Sequence, residues 1–171
     1  MSLEILTYPN PLLATNARDI PEVTDAIRKL AQDMAQVMYT NEGIGLAAPQ
    51  VGQLVRLIVV DVTGPQERKK LFSLVNPVVH IISDELTEYE EGCLSVPHFR
   101  TNISRPGNVM VSALDLSGAP VEIEAEGLLA VCLQHEIDHL NGTLILDHTS
   151  RFKRSLYERK VKKWIKQRNS T

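Results

Sequence analysis

Two histidines and an adjacent glutamate are the residues of this sequence whose types and spacing best suit catalysis. His135 and His139 stand four positions apart in QHEIDH, and Glu136 follows the first of them. Residues four apart share one face of an α-helix, so both imidazoles can be directed at one metal ion. Glu136 then lies at the flank, where it can take a proton from a water whose pKa a metal lowers toward ~7. The spacing predicts a hydrolytic metal site.

The alternative is a coincidence, in which ordinary hydrogen bonds satisfy both histidines. The surrounding segment, Leu128 to His139, is mostly apolar, which predicts a helix buried on more than one side, and Asn141-Gly142 supplies its end. Polar residues at positions 134–136 and 138 interrupt it. Buried polar groups need partners, and a metal supplies several at once, so the metal interpretation is favoured.

The third ligand of such a site is not evident from the helix itself. Catalytic zinc usually takes three protein ligands, and Ile145 occupies the position where one class of zinc proteases has a third histidine. Asp147 and Glu158 are the downstream carboxylates, and neither stands out. The other residues with suitable side chains are His80, His98, His148, Cys93 and Cys132.

Cys93 is the candidate with the most suggestive surroundings. Cys132 shares the helix with His135 but is expected to point into the core. Cys93 lies in EEGCLSVP, where glycine and proline predict a tight bend at a strand end. A thiolate there can meet the helix, and a Cys/His/His set suits zinc or ferrous iron. The alternative is that Cys93 is a small buried hydrophobic residue.

A third segment, GIGLAAPQ, runs from Gly43 to Gln50. Its glycines and alanines remove bulk, so another backbone can approach closely. The Gln50 amide can donate a hydrogen bond to a developing oxyanion. Alone, the segment is also typical of an ordinary loop between a helix and a strand.

Together and in this order, GIGLAAPQ, EGCLS and QHEIDH resemble the three motifs of the peptide deformylase family, G-φ-G-φ-A-A-x-Q, E-G-C-φ-S and Q-H-E-x-D-H. Every motif position is matched, and the resemblance to the compact bacterial form extends over most of the chain. It implies an α+β fold and a metal held by Cys93, His135 and His139. It further implies that Glu136 is the general acid/base and that the Gln50 side chain and the Leu94 backbone N–H stabilise the oxyanion.

The resemblance implies a metal-dependent hydrolase that removes the N-formyl group from the formyl-methionine of nascent polypeptides and releases formate. The expected cofactor is one divalent ion, Fe(II) in the cell, with Ni, Co or Zn as substitutes. Arg105 and Asp138 are expected to form a pair that orients the site. The expected substrate contacts are the backbone of Ile44, Gly45 and Leu46 and a methionine pocket of Ile44, Leu128, Val131 and Cys132, with Tyr89 and Arg100 at its rim.

Three alternatives stay open. Leu128 and Val131 can be plain helix core. The chain can be another HExxH amidase or peptidase with a carboxylate as third ligand. It can also be a non-enzymatic, ribosome-associated metal-binding module.

Length, composition and charge favour one globular domain of a cytoplasmic protein. The chain has 171 residues, 43% of them hydrophobic, and two cysteines. We identify no signal peptide and no apolar run near the roughly 20 residues that span a bilayer, so a membrane is not an expected partner. DNA is not an expected partner either. Residues 151–171 carry nine basic residues and one acid, while the whole chain has a net charge of −3. A basic tail of this kind suits ribosomal RNA, and a solvated helix face is the alternative.

The predicted architecture is α+β, with mainly antiparallel sheets around the central helix that carries HExxH. An N-terminal helix is predicted over Thr24–Met38, and a basic C-terminal helix begins after a cap at Thr149-Ser150. We assign residues 1–149 to the catalytic part and 150–171 to a helical extension of the same domain. A strand is predicted at 57–62, and one or two strands, interrupted at Asn76-Pro77, are predicted across 71–82. A polar turn at 63–70 lies between them, and a hairpin is predicted over 109–126; segment 83–97 has no clear pattern. The apolar side of the C-terminal helix is predicted to contain Phe152, Leu156, Tyr157, Val161, Trp164 and Ile165.

Overall fold

The computed structural model describes residues 2–170. Its helices are α1 (Asp25–Thr40), α2 (Gly64–Glu67), α3 (Gly127–Leu140) and α4 (Arg151–Asn169), with short 3-10 segments at Pro11–Ala14, Ala48–Val51 and Ile145–His148. Its strands are β1 (Gly45–Ala47), β2 (Leu57–Val60), β3 (Phe72–Ile81), β4 (Leu86–Cys93), β5 (Val96–Pro106), β6 (Asn108–Leu114) and β7 (Pro120–Glu126).

Two antiparallel sheets make up the β structure. One has five strands in the order β1-β2-β3-β6-β7, and the other is the β4-β5 hairpin. The α+β class with antiparallel sheets around a central helix is confirmed. β1 is an edge strand of the larger sheet, so one side of its backbone is free to pair with another chain.

The larger sheet is covered on both faces, which explains the uninterrupted apolar run of β2. Ile58 and Val60 belong to the core cluster that contains Leu133 and Leu140 of α3. The intervening residues of β2 pack instead with α1. Alternate strand residues point to opposite faces, and here each face meets a helix.

The predicted N-terminal helix is confirmed and runs two residues beyond its expected end. The Thr24 hydroxyl accepts a hydrogen bond from the Ile27 N–H at 3.3 Å, as expected of an N-cap. Helical spacing predicts an apolar face of Ile27, Leu30, Ala31, Met34, Val37 and Met38. Ala35 and Tyr39 are buried in addition. Both were missed because contacts with β2 widen the apolar stripe.

Two local expectations need correction. The segment with no clear pattern contains the whole of β4, whose largely exposed, charged residues hide the alternation of a strand. Residues 63–70 contain the one-turn helix α2 rather than only a turn. Across 71–82 the chain forms one strand, β3, with a register shift between Val75 and Val78 at the expected interruption, where the φ of Asn76 is +52°.

The basic helix α4 packs on the body by a narrower face than predicted. Tyr157 and Val161 are buried with Leu13, Val96 and Leu144. Phe152 is 72% exposed and Leu156 41% exposed, and Ile165 is also exposed. The predicted single apolar side was wrong for these three residues. For Phe152 the reason is its position nine residues before Val161, about half a turn away around the helix. Within residues 2–170 no helix is long and apolar enough to cross a membrane.

We predict that Val161→Ala lowers the free energy of unfolding by about 1–3 kcal/mol, because it removes two buried methyl groups and leaves a cavity. The matched control is Lys160→Ala, at the exposed neighbouring position. This variant should change the free energy of unfolding by less than about 0.5 kcal/mol. Urea denaturation measures both. Equal values for the two variants would show that α4 does not pack on the body.

Candidate metal centre and active site

Three possible metal ligands converge where α3 passes the end of β4. His135 and His139 lie one turn apart on α3, and both are buried. Cys93 ends β4, and its Sγ lies 3.3 Å from His139 Nε2. Ligand atoms of all three residues lie within 4.8 Å of one another. The structure thus brings together one thiol and two imidazoles, a donor set that suits zinc or ferrous iron.

The protonation tendencies of the cluster also fit a cation. Burial alone raises the pKa of the Cys93 thiol, but the His139 and His135 rings hold this pKa well below its usual value. Cys93 therefore tends toward the thiolate, the form that binds metals. Burial raises the pKa of Glu136, and the nearby histidines offset only part of that increase.

Two buried polar atoms at the centre have no hydrogen-bond partner among residues 2–170. They are Glu136 Oε2 and His139 Nδ1. Buried polar atoms of folded proteins are nearly always paired with protein or water. The Glu136 carboxylate is 3% exposed yet lines a cavity, so its free oxygen is available to a water or substrate molecule.

A buried ionic network fixes the orientation of His135. Its Nδ1 lies 3.0 Å from Glu91 Oε1, which leaves Nε2 for a metal. Arg105 binds both Glu91 oxygens at 2.7 and 3.0 Å and reaches Asp138 Oδ2 at 2.9 Å. The predicted Arg105–Asp138 pair is confirmed. Burial raises the pKa of Glu91, but His135 and Arg105 lower it overall, so the carboxylate stays ionised.

Glu91, the first residue of the EGCLS motif, is a residue to which the sequence reasoning assigned no role. It stands two residues before Cys93 and thus shares a face of β4 with it. That relation was a usable signal, but segment 83–97 was not recognised as a strand. Partners of metal-bound histidines fix the ring orientation and the protonated nitrogen.

Gln50 reaches the centre from a 3-10 turn. Its Oε1 accepts a hydrogen bond from the Ala47 N–H at 2.9 Å, which fixes the orientation of the amide. Its Nε2 donates to Ser95 Oγ at 3.0 Å and lies 3.6 Å from Cys93 Sγ. Ser95, which the sequence reasoning did not single out, is fully buried. The amide N–H groups therefore point toward the ligand cluster.

The glycine of β1 permits a close approach between that strand and α3. A Cβ added to Gly45 would lie 2.5 Å from Glu136 Oε1. Any side chain there would displace the carboxylate, so β1 and Glu136 form adjoining walls of one space.

That space is a cavity of about 520 Å³. All of the predicted site residues line it except Leu46 and His139. Leu94 lines it from the turn between β4 and β5. The Leu46 side chain is fully buried against α1, so only its backbone can meet a substrate. Leu128 is 44% exposed at the cavity, which argues against plain helix core for that residue.

Comparison with known proteins decides the family. The sequence model of the polypeptide deformylase family matches residues 2–155. The chain is 48% identical over 165 residues to the peptide deformylase of Desulfosudis oleivorans, covering 96% of this chain and 95% of that one. The chain belongs to the polypeptide deformylase family. Deformylases are metal-dependent enzymes, and the resemblance inferred from the three motifs is confirmed.

Solved deformylase structures have the same fold. That from Legionella pneumophila has a TM-score of 0.90 at 40% identity, covering 100% of this chain and 99% of that one. The Ehrlichia chaffeensis deformylase in complex with actinonin has a TM-score of 0.88 at 44% identity, covering 95% of this chain and 98% of that one.

The carboxylates considered as third ligands are engaged elsewhere. Asp147 accepts a hydrogen bond from the Leu144 N–H at 2.8 Å and pairs with Arg154 at 2.6 Å. Glu158 pairs with Arg154 at 3.1 Å and accepts a hydrogen bond from the Tyr8 hydroxyl at 3.0 Å. Neither belongs to the cluster of Cys93 with the two histidines, so the carboxylate alternative loses its support.

We predict that Cys93→Ala abolishes tight metal binding, whereas Cys132→Ala retains roughly one ion per chain, as expected of a three-ligand site. Cys132 is a buried cysteine on the same helix as the histidines, so it is the matched control. Elemental analysis after anaerobic purification measures the ion content. Retention of metal by a folded Cys93→Ala variant would favour another ligand.

Proposed function

We propose that the cavity around Cys93, His135 and His139 carries out the reaction of the deformylase family, the hydrolysis of the formyl amide on the initiator methionine of nascent chains. The observation that carries the proposal is the thiol–imidazole cluster of Cys93, His135 and His139 at a cavity lined by Glu136, whose Oε2 has no hydrogen-bond partner among residues 2–170. We place this activity in the cytoplasm, where nascent chains are made.

Cys93, His135 and His139 would hold one divalent ion, and the ion supplies Lewis-acid chemistry, which polarises a carbonyl and makes water more acidic. We propose Fe(II) in the cell, with Ni, Co or Zn as substitutes. The mixed sulfur and nitrogen donors support this range of ions. His135 and His139 would each offer a ring nitrogen to the ion, and Glu91 holds His135 by its Nδ1.

Glu136 is the proposed general acid/base. It accepts a proton from the attacking water, whose oxygen bonds to the formyl carbon. The C–N bond then breaks, and Glu136 returns the proton to the amine, so formate and a free N-terminus leave. The Gln50 amide and the Leu94 N–H donate hydrogen bonds to the oxyanion that forms between these steps. Support comes from the unpaired Glu136 oxygen and from the amide orientation that Ala47 imposes.

The peptide is proposed to bind extended along β1, using the backbone of Ile44, Gly45 and Leu46. The edge position of β1 supports this arrangement, since a peptide can add to the sheet as a further strand. The methionine side chain would then enter the pocket lined by Ile44, Leu128, Val131 and Cys132, with Tyr89 and Arg100 at the rim.

We predict that Glu136→Gln lowers formate release from a formyl-Met peptide by roughly 10²–10⁴-fold, because it removes the proton acceptor. The variant should keep its metal, since glutamine preserves the shape of a residue that is not a ligand. Formate release and metal content are measured on the same sample. A metal-loaded Glu136→Gln variant with unchanged activity would contradict this mechanism and favour the non-enzymatic alternative.

The basic helix α4 is the proposed ribosome contact, with residues 150–171 remaining an extension of the same domain. Nine basic residues lie within positions 151–171, and most of them are exposed. Neutralising phosphates with such residues gives salt-dependent binding to RNA. Removing α4 would also remove Tyr157 and Val161 from the core. Substitution of its exposed basic residues therefore tests ribosome binding more directly.

We predict that Lys160→Ala/Lys163→Ala weakens ribosome binding and lowers the slope of log affinity against log salt by roughly 1–2. Activity on a short formyl-Met peptide should not change, because both side chains are exposed on α4 and neither residue lines the cavity. Lys69→Ala/Lys70→Ala, which removes two exposed charges from the body, is the control. Equal binding by the two double variants in co-sedimentation would contradict the ribosome proposal.

A further inference from the structure

The β4-β5 hairpin has an irregular register beside the proposed metal ligand. Cys93 pairs with Val96, whereas the preceding residue, Gly92, pairs with Arg100. Residues 97–99 therefore face no partner on β4 and form a bulge directly opposite the Gly92–Cys93 step. Bulges redirect side chains and are frequent next to active sites.

The bulge contains a strained residue. His98 has a φ of +63°, in the left-handed region that residues with a Cβ seldom adopt. Such a conformation persists where the surrounding structure holds it in place. The contacts around residues 97–99 therefore decide how well this conformation is held.

Helix α4 contacts all three bulge residues through two aromatic side chains. The Tyr157 hydroxyl donates a hydrogen bond to the Pro97 carbonyl at 2.8 Å. The Tyr157 ring lies 5.1 Å from the Phe99 ring. Trp164 meets His98 edge-on at 5.6 Å and Tyr157 at 6.0 Å. Tyr157 is itself buried, so it provides a fixed support.

The supported residues line the substrate cavity. His98 and Phe99 belong to the same cavity as Cys93 and Glu136. The methionine pocket proposed above uses the α3 side, represented by Leu128 and Val131. Of the β5 residues at the cavity, Arg100 is the one proposed at the rim of that pocket, so His98 and Phe99 are left for the part of the peptide that follows methionine.

We propose that Tyr157 and Trp164 are positioning residues that hold the His98–Phe99 wall in the shape that binds the residues after formyl-methionine. The inference rests on the proposed deformylase function. It gives α4 a role in substrate binding that is separate from its positive charge. If α4 had only a structural role, substitutions in it would instead change KM equally for substrates of every length.

The test compares two substrates, formyl-methionine amide and a formyl-Met tripeptide, on the metal-loaded full-length chain. Trp164→Ala should raise KM for the tripeptide by about 2- to 10-fold, the equivalent of one aromatic contact. Its kcat should stay within about twofold, as expected when binding alone is lost. KM for formyl-methionine amide should not change. Trp164→Phe, which keeps an aromatic ring, should restore most of the tripeptide affinity.

Two further variants keep the test decisive. Ile165→Ala, at the neighbouring and more exposed position of α4, should leave both KM values unchanged. Tyr157→Phe removes only the hydroxyl that binds Pro97, so it should raise the tripeptide KM by about 2- to 10-fold, the equivalent of one hydrogen bond. If Trp164→Ala does not fold, the KM values of Tyr157→Phe test the proposal instead.

The proposal is overturned if Trp164→Ala and Tyr157→Phe leave the tripeptide KM unchanged, or if they change both substrates equally. Failure of the wild-type chain to deformylate either substrate would refute the proposed function itself, and the inference would fall with it. The wild-type measurement thus separates the two kinds of failure.

Discussion

Buried polar side chains with too few protein partners are the constraint around which the structure is organised. Cys93, His135, His139 and Glu136 meet at the centre of the molecule, and two of their polar atoms lack a partner among residues 2–170. Burying such groups costs free energy unless a cation or hydrogen bonds compensate. The Glu91–Arg105–Asp138 network provides part of that compensation, and a divalent ion would provide the rest.

The surrounding fold keeps this cluster rigid. The larger sheet lies between α1 and α3, so the helix that carries HExxH packs on a layer that is itself buried. Gly45 brings β1 against Glu136 without a collision. The β4-β5 hairpin places Cys93 opposite the histidines of α3. Helix α4 supports that hairpin through the Tyr157 hydroxyl, which binds the Pro97 carbonyl. Distant parts of the sequence thus converge on one cavity.

Much of this arrangement was predictable from the sequence because its signals are local. The spacing of His135 and His139, the Thr24 cap and the apolar run of β2 each depend on a few neighbouring residues. The order of three motifs then identified the family. The β4-β5 hairpin was not predictable in the same way, since β4 is mostly exposed and lacks apolar alternation.

The residues that were missed are those whose roles depend on partners far away in the sequence. Glu91 matters because Arg105 and His135 meet it in three dimensions. Ser95 matters because Gln50 reaches it from another turn. The exposure of Phe152 likewise follows from which side of α4 meets the body, and helical spacing alone does not specify that side.

The most direct test of the central claim is the release of formate from matched formyl-Met and acetyl-Met peptides by the wild-type chain. The protein is purified without oxygen and loaded with ferrous iron or nickel. The account predicts rapid release of formate from the formyl peptide and no cleavage of the acetyl peptide. A folded, metal-loaded sample that leaves the formyl peptide intact would contradict it.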